Sequence, residues 1–320
     1  MNNKTIKVMF TDMWKSFDLD NVENHFEWRM IKKNWNPILS TNPDFLFYSC
    51  FGIEHLKYDC LRIFFTPENV RPNFNECDYA FSYDYPITER NYRLPIYRRW
   101  PSYKQLFEKR DPEKILLENR KFCNILISNP NAKERIDFFN QLSTYKKVDS
   151  GGGYQNNIGY QIERGVQNKL NWMRNFKLSI TFENSSYPGY TKEKLMHALI
   201  SNTIPIYWGN PLVALDFNPK AFINCHDYSS FAEVVDLIHE IDNNEKLYLE
   251  YLSQPYLKYN AETEFCKEEN ILTRFDEILS SKRVYIPVYK KKSQLLRYYQ
   301  KKLQKYLIRL YRRLVKNKEH

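Results

Sequence analysis

Hydrophobic positions fall in short, separated runs through the first third of the chain: Ile6 to Phe10, Phe45 to Ser49, Arg62 to Thr66 and Tyr79 to Ser82. Apolar runs of this length between polar or helix-forming stretches predict strands of an open α/β sheet covered on both faces. Pro86, Pro95 and Pro101, with Arg98 and Arg99, mark an irregular stretch, and a charged segment from Glu108 to Arg120 follows, where a domain boundary is expected. A second α/β unit starts with a strand at Asn124 to Ser128, continues with a helix from Lys133 to Leu142, and reaches Val148 before a glycine cluster. Its clearest element is Lys177 to Glu183, where Leu178, Ile180 and Phe182 alternate. A loop, Asn184 to Gly189, leads to a helix over Lys192 to Ser201 that Thr191 can cap, and then to a strand at Ile204 to Trp208. In such β-loop-α-β units ligands bind where strands end and helices begin. The expected organisation is therefore domains over 1–118 and 119–283, and a tail over 284–320.

The tail differs in kind. From Lys290 onward there are twelve Lys and Arg against the single Glu319, so it holds all of the excess charge of a chain whose net charge is +10. Leu296, Tyr299, Leu303, Leu307, Leu310 and Leu314 recur at helical spacing, and Tyr298, Tyr306 and Tyr311 broaden that apolar face. A basic amphipathic helix with interfacial aromatics suits an anionic membrane surface, each cation near the surface contributing on the order of 1 kcal/mol. The alternative is a helix that packs its leucine face on the body and leaves lysines in water. Nucleic-acid binding ranks last, because the charge is confined to the terminus.

The 320 residues, 42% hydrophobic and 16% aromatic, are ample for packed cores and argue against disorder. No apolar run is long enough to cross a bilayer, and Met1 to Phe10 lacks the pattern of a cleaved leader, so a cytoplasmic protein, peripheral on the inner membrane face, is expected. The six cysteines show no Cys-x-x-Cys, and no His-x-x-x-His occurs; the thiols read as buried and apolar, and no metal site is indicated. Seven of the 8 glycines lie between Gly151 and Gly209, which points to a ligand-facing rim for a phosphate-bearing molecule, tight turns being the plainer reading. Lys192, Glu193 and Lys194 then fall in the first turn of a helix, where a dipole that prefers anions would be joined by two lysines.

Phe182-Glu183-Asn184-Ser185, Tyr190-Thr191-Lys192-Glu193-Lys194 and Ile204-Pro205-Ile206-Tyr207-Trp208-Gly209 together resemble the signature of the α1,3/4-fucosyltransferase family, most of all its bacterial α1,3 members. Asp216 to Lys220, Asn224 to Asp227, Ser128 to Ala132 with Arg135, Ser150 to Gly153, Thr66 to Asn69, Pro72 to Phe74 and Asp78 to Ala80 fit the same pattern, so the likeness runs in register from about Arg62 to Asp227. Lys192 stands where the family usually has Thr, and Pro67 where Gly is common.

The resemblance implies two Rossmann-like domains facing across a cleft, the GT-B type, with the C-terminal basic helix added. It implies GDP-fucose held by the second domain and a GlcNAc-containing acceptor, such as a lipopolysaccharide glycan, by the first. Carried over, Arg135 and Lys194 bind the diphosphate, Glu193 the ribose or fucose hydroxyls, and Asn184 and Tyr190 line the donor pocket. Glu68 is the general base, a role typically contributing about 10²- to 10⁴-fold. From the residues alone Glu68 is an ordinary loop glutamate. The one Asp-x-Asp pair, Asp18-Leu19-Asp20, reads as a capping turn, so no obligate metal is expected, although Mn²⁺ could stimulate. Two other readings stay open: a transferase of the same architecture using another nucleotide sugar, and a non-enzymatic peripheral membrane protein suggested only by the tail.

Overall fold

The computed structural model describes residues 4–281 and 283–316, with side chains described up to Ile308. The chain divides into two compact units. The first holds the residues through Ser82, Pro86–Arg93, and the described residues from Glu268 onward; the second holds Tyr83–Tyr85 and Leu94–Lys267.

The first unit opens with β1 (Thr5–Thr11), α1 (Phe26–Asn34) and β2 (Asn36–Leu39), followed by β3 (Phe45–Tyr48), β4 (Leu61–Phe65), β5 (Tyr79–Ser82) and β6 (Asn91–Arg93). All six strands are parallel, in the order β2-β1-β3-β4-β5-β6. The four apolar runs read from the sequence are β1, β3, β4 and β5. Every residue of β3, β4 and β5 is buried, the signature of a parallel sheet covered on both faces. β2 and β6 escaped the sequence reading because they are short and carry polar or proline residues.

The second unit contains α2 (Pro112–Leu116), β7 (Lys121–Ile125), α3 (Lys133–Tyr145), β8 (Val148–Ser150), α4 (Val166–Met173), β9 (Phe176–Ile180), α5 (Lys194–Ile200), β10 (Ile204–Tyr207), β11 (Ile223–Asn224), α6 (Phe231–Asn243) and α7 (Glu245–Leu252). Its five parallel strands run β11-β10-β9-β7-β8. Phe138, Leu142, Leu178, Ile180, Ile206 and Ile238 belong to one core between this sheet and helices α3 and α6.

The chain then returns to the first unit as α8 (Glu268–Ser281) and α9 (Val288–Lys316). The division therefore falls at Arg93 and Lys267, not near residues 118 and 283. Tyr97, Tyr103 and Leu106 join Leu195, Leu199 and Phe217 in a core of the second unit, which draws the segment after β6 there. Phe275 of α8 stacks on Phe81 at 4.4 Å, and Asp276 accepts from Trp35 Nε1 at 2.7 Å, which fixes α8 to the first unit.

The tail helix is seated by a polar stripe. Arg62, fully buried at the start of β4, donates to Tyr58 O at 2.6 Å and to Gln294 Oε1 at 2.5 Å. Lys291 Nζ donates to Cys60 O at 2.8 Å, Arg297 pairs with Glu76 at 2.9 Å, and the Tyr298 hydroxyl donates to Glu54 at 2.8 Å. The opposite side carries the leucines: Leu296, Tyr299, Leu303, Tyr306 and Leu307 are all more than half exposed. Tyr298 thus lies on the seated face and not at the edge of the apolar one, and the start of the tail is part of the first unit, because buried Arg62 and Glu76 take partners from it. Leu310, Tyr311 and Leu314 lie outside the described side chains.

Ending the chain after Pro287 removes every one of these partners and is expected to cost roughly 3 kcal/mol, since bonds to charged groups are worth about 1.5–3 kcal/mol each and only part of that is regained from water. Ending it after Leu303 keeps them and should leave the thermal midpoint unchanged. Thermal unfolding of both truncated chains checks this; equal midpoints contradict the seating role.

Candidate functional site

In the second unit one residue ties the carboxyl ends of β9 and β10 to the turn that precedes α5. Glu183, three residues beyond β9, has a fully buried side chain. Its backbone N–H donates to Trp208 O at 2.8 Å, its Oε1 accepts from the Lys192 N–H at 2.7 Å, and its Oε2 pairs with Lys194 Nζ. A buried carboxylate is tolerated only when paired and hydrogen-bonded, so this residue fixes where the 192–194 turn sits. Gly209 is required beside it: a Cβ there would lie 2.6 Å from the Glu183 Cγ. Asn210 ties the adjoining loop in place by accepting from Gly189 N–H at 2.7 Å and donating to Thr191 Oγ1 at 3.1 Å.

These bonds change two expectations. The helix α5 begins at Lys194, and Thr191 does not cap it, because its hydroxyl is used by Asn210. Lys192 and Glu193 precede the helix, and the Lys192 N–H, expected to be free for phosphate, is already held by Glu183. The glycines, too, serve packing as much as any rim. A Cβ at Gly152 would meet the Ile127 backbone oxygen at 2.0 Å, and Gly189, at φ +88°, lies so close to Tyr83 O that a Cβ would come within 2.2 Å. Gly153 and Gly159 have nothing within that reach and remain open.

The structure gathers four of the expected residues around this carboxylate. Arg135, buried on α3, donates through Nε and Nη2 to Phe182 O at 3.1 and 2.5 Å and through Nη2 to Asn184 Oδ1 at 2.8 Å. Burial lowers its pKa, opposed by the charges of Glu183, Tyr190 and Glu193, which places these groups about the guanidinium. Glu193 is pulled below the usual carboxylate range: burial alone would raise it, but Lys194, Lys169 and Lys192 outweigh that. Among the described residues the Glu193 carboxylate has no hydrogen-bond or ion-pair partner, so its oxygens can accept hydroxyls. Tyr190 is fully buried, its ring 5.0 Å from Tyr83 in a cluster with Ile96. His197 stays neutral, pushed down to about 3 by burial and by Lys169.

Glu68 belongs to the first unit. It lies half-buried just past the carboxyl end of β4, its N–H donating to Thr66 Oγ1 at 3.1 Å. Asp18 forms a turn, accepting from the Asp20 and Asn21 N–H groups at 3.1 and 3.3 Å, but it caps no helix: the short helical turn at Val22–Asn24 has Asn21 at its N-cap and no side-chain cap bond. Among the described residues no cluster of His, Cys, Asp and Glu could hold a metal, and no helix is long and apolar enough to cross a membrane. Four cysteines are buried; Cys50 and Cys60 are half-buried.

Glu183 was in the signature but had no role assigned to it, and Lys169 was overlooked. The signal for Glu183 was a charged residue closing an apolar strand; Lys169 carries no local signal, because the fold alone brings it near Glu193.

A cluster of cations about Glu183, beside the unpaired Glu193 carboxylate at the carboxyl ends of a parallel sheet, is suited to a phosphate-bearing ligand. Residues 8–103 match the α-(1,3)-fucosyltransferase FucT N-terminal domain, and residues 116–282 match the glycosyltransferase family 10 (fucosyltransferase) C-terminal region. The chain belongs to glycosyltransferase family 10 and is an enzyme of the fucosyltransferase class. It is 29% identical over 326 residues to the α-(1,3)-fucosyltransferase FucT of Helicobacter pylori, a match covering 88% of this chain and 67% of that one. It is similar to a crystal structure of an α1,3-fucosyltransferase, with a TM-score of 0.75, 28% identity, and coverage of 87% of this chain and 91% of that one. An α1,3-fucosyltransferase structure with GDP-fucose gives 0.74 at 27% identity, covering 90% and 94%. The two parallel α/β sheets agree with that likeness.

Glu183→Gln is expected to destabilise the protein by about 2 kcal/mol, since it removes the charge that pairs Lys194. Gly209→Ala should cost a similar amount by displacing the same side chain. Because both act on one carboxylate, the double variant should lose less than the two losses added together. Denaturant unfolding of the three variants measures this, and strict additivity would contradict a shared cause.

Proposed function

We propose that the protein transfers L-fucose from GDP-β-L-fucose to the 3-hydroxyl of GlcNAc in a lactosamine-type glycan, with inversion at the anomeric carbon. The observation that carries the reading is the grouping of Arg135, Asn184, Glu193 and Lys194 about buried Glu183, in a chain similar to one solved with GDP-fucose. As the glycosidic bond breaks, the diphosphate gains negative charge, and fixed cations in a partly buried pocket stabilise it. Arg135 and Lys194 are those cations, and no obligate metal is required of the site, although Mn²⁺ stimulation is compatible with it. Glu193 accepts sugar hydroxyls. Glu68 takes the proton of the acceptor hydroxyl as it attacks from the side opposite the diphosphate, because a sugar hydroxyl is a poor nucleophile at neutral pH. Tyr190 shapes the donor pocket through packing.

The acceptor fits a surface glycan such as lipopolysaccharide, assembled at the cytoplasmic face of the inner membrane. What supports that location is α9: its exposed Leu296, Tyr299, Leu303 and Leu307 are accompanied by Lys301 and Lys305, while its opposite face, where Lys302 pairs with Glu54, is seated in the first unit.

Glu68→Gln should keep GDP-fucose binding within about twofold and lower transfer by about 10²-fold or more. Calorimetry and product formation measure the two, and near-normal turnover would remove Glu68 from the mechanism. Replacing Leu303 and Leu307 with Glu should release the protein from phosphatidylglycerol vesicles in a flotation assay without changing transfer to a soluble acceptor. Unchanged retention would contradict the membrane role of α9.

A further inference from the structure

Lys169 sits on α4, which packs on α5 through Leu170, Leu195 and Leu199 and through the Ser201 hydroxyl donating to Leu170 O at 3.3 Å. It is half-buried, and among the described residues its ammonium has no hydrogen bond and no ion pair. This is unlike Lys194, which Glu183 holds. The groups that act electrostatically on Lys169 are Glu193, Lys194, Glu183 and Lys192, the same groups that surround the donor pocket, and burial lowers its pKa, so its charged form gains strongly from an added anion.

The cluster as a whole is unbalanced. Arg135, Lys169 and Lys194 face two carboxylates, Glu183 and Glu193, an excess of one positive charge. A partly buried excess of that size is costly unless something negative enters. The diphosphate of a nucleotide sugar brings about two negative charges, and the nucleoside diphosphate released by transfer carries about three.

We propose that Lys169 is a further donor-binding cation, contacting the diphosphate of the nucleotide sugar. The assignment rests on the donor reading above for which nucleotide is used, but not for its own chemistry, since any diphosphate supplies the matching charge. Lys169 enters from α4, whereas Arg135 comes from α3 and Lys194 from α5, so three helices contribute one cation each. The energetic gain is larger for the leaving diphosphate than for the intact donor, because the charge rises as the bond breaks.

The test compares wild type, Lys169→Met and Lys169→Arg by calorimetric titration with GDP, UDP and inorganic pyrophosphate. Lys169→Met should bind GDP and pyrophosphate each roughly tenfold more weakly, the loss of one charge-assisted bond. Lys169→Arg should restore most of both, and the thermal midpoints of all three should agree. Unchanged GDP affinity in Lys169→Met overturns the proposal, as does a loss for GDP without one for pyrophosphate, which would place Lys169 at the nucleoside. If wild type prefers UDP to GDP and Lys169→Met weakens UDP and pyrophosphate alike, the fucose-donor reading fails while the assignment of Lys169 stands. Binding of none of the three by wild type overturns both.

Discussion

A single buried negative charge organises the second unit. Glu183 cannot be solvated, so it must be neutralised by what folds around it, and the groups it recruits are a backbone N–H and the ammonium of Lys194 from the turn ahead of α5. Trp208 O accepts its N–H from the end of β10, and Gly209 leaves room for its side chain. Strand end, turn and neighbouring loop are thereby locked into one arrangement, with Arg135 bonded to the next residue, Asn184. Arg135 and Lys194 are thereby held in fixed positions by bonds within the protein.

In each unit the residues singled out above follow the carboxyl ends of parallel strands. Glu68 follows β4 in the first unit, and Glu183, Asn184 and Glu193 follow β9 in the second. Strand ends in parallel sheets feed loops toward one edge, where backbone groups are not consumed by ladder bonds and side chains can face a substrate.

Much of this was legible in the sequence where packing obeys local pattern. The mostly apolar runs of β3, β4 and β5 read as interior strands, and the alternation through Leu178 and Ile180 marked β9. The signature around Asn184, Glu193 and Lys194 falls on residues that the fold gathers about Glu183. What local pattern could not carry were long-range choices. Thr191 looks like an N-cap until Asn210 takes its hydroxyl, and glycines that suggest a ligand rim are partly explained by backbones at Ile127 and Tyr83 that lie close beside them. The amphipathic period of α9 was real, but which face meets the protein depended on a polar stripe answering Arg62 and Glu76, partners more than two hundred residues away. The return of α8 to the first unit hinges likewise on Phe81 and Trp35.

The central claim is that this pocket hands fucose to a glycan, and the most direct measurement is to incubate the purified protein with GDP-fucose and N-acetyllactosamine and determine the linkage in the product. The account predicts a trisaccharide with α-linked fucose on the 3-hydroxyl of GlcNAc and release of one GDP per sugar transferred. Absence of that product, together with consumption of a different nucleotide sugar under the same conditions, would contradict it.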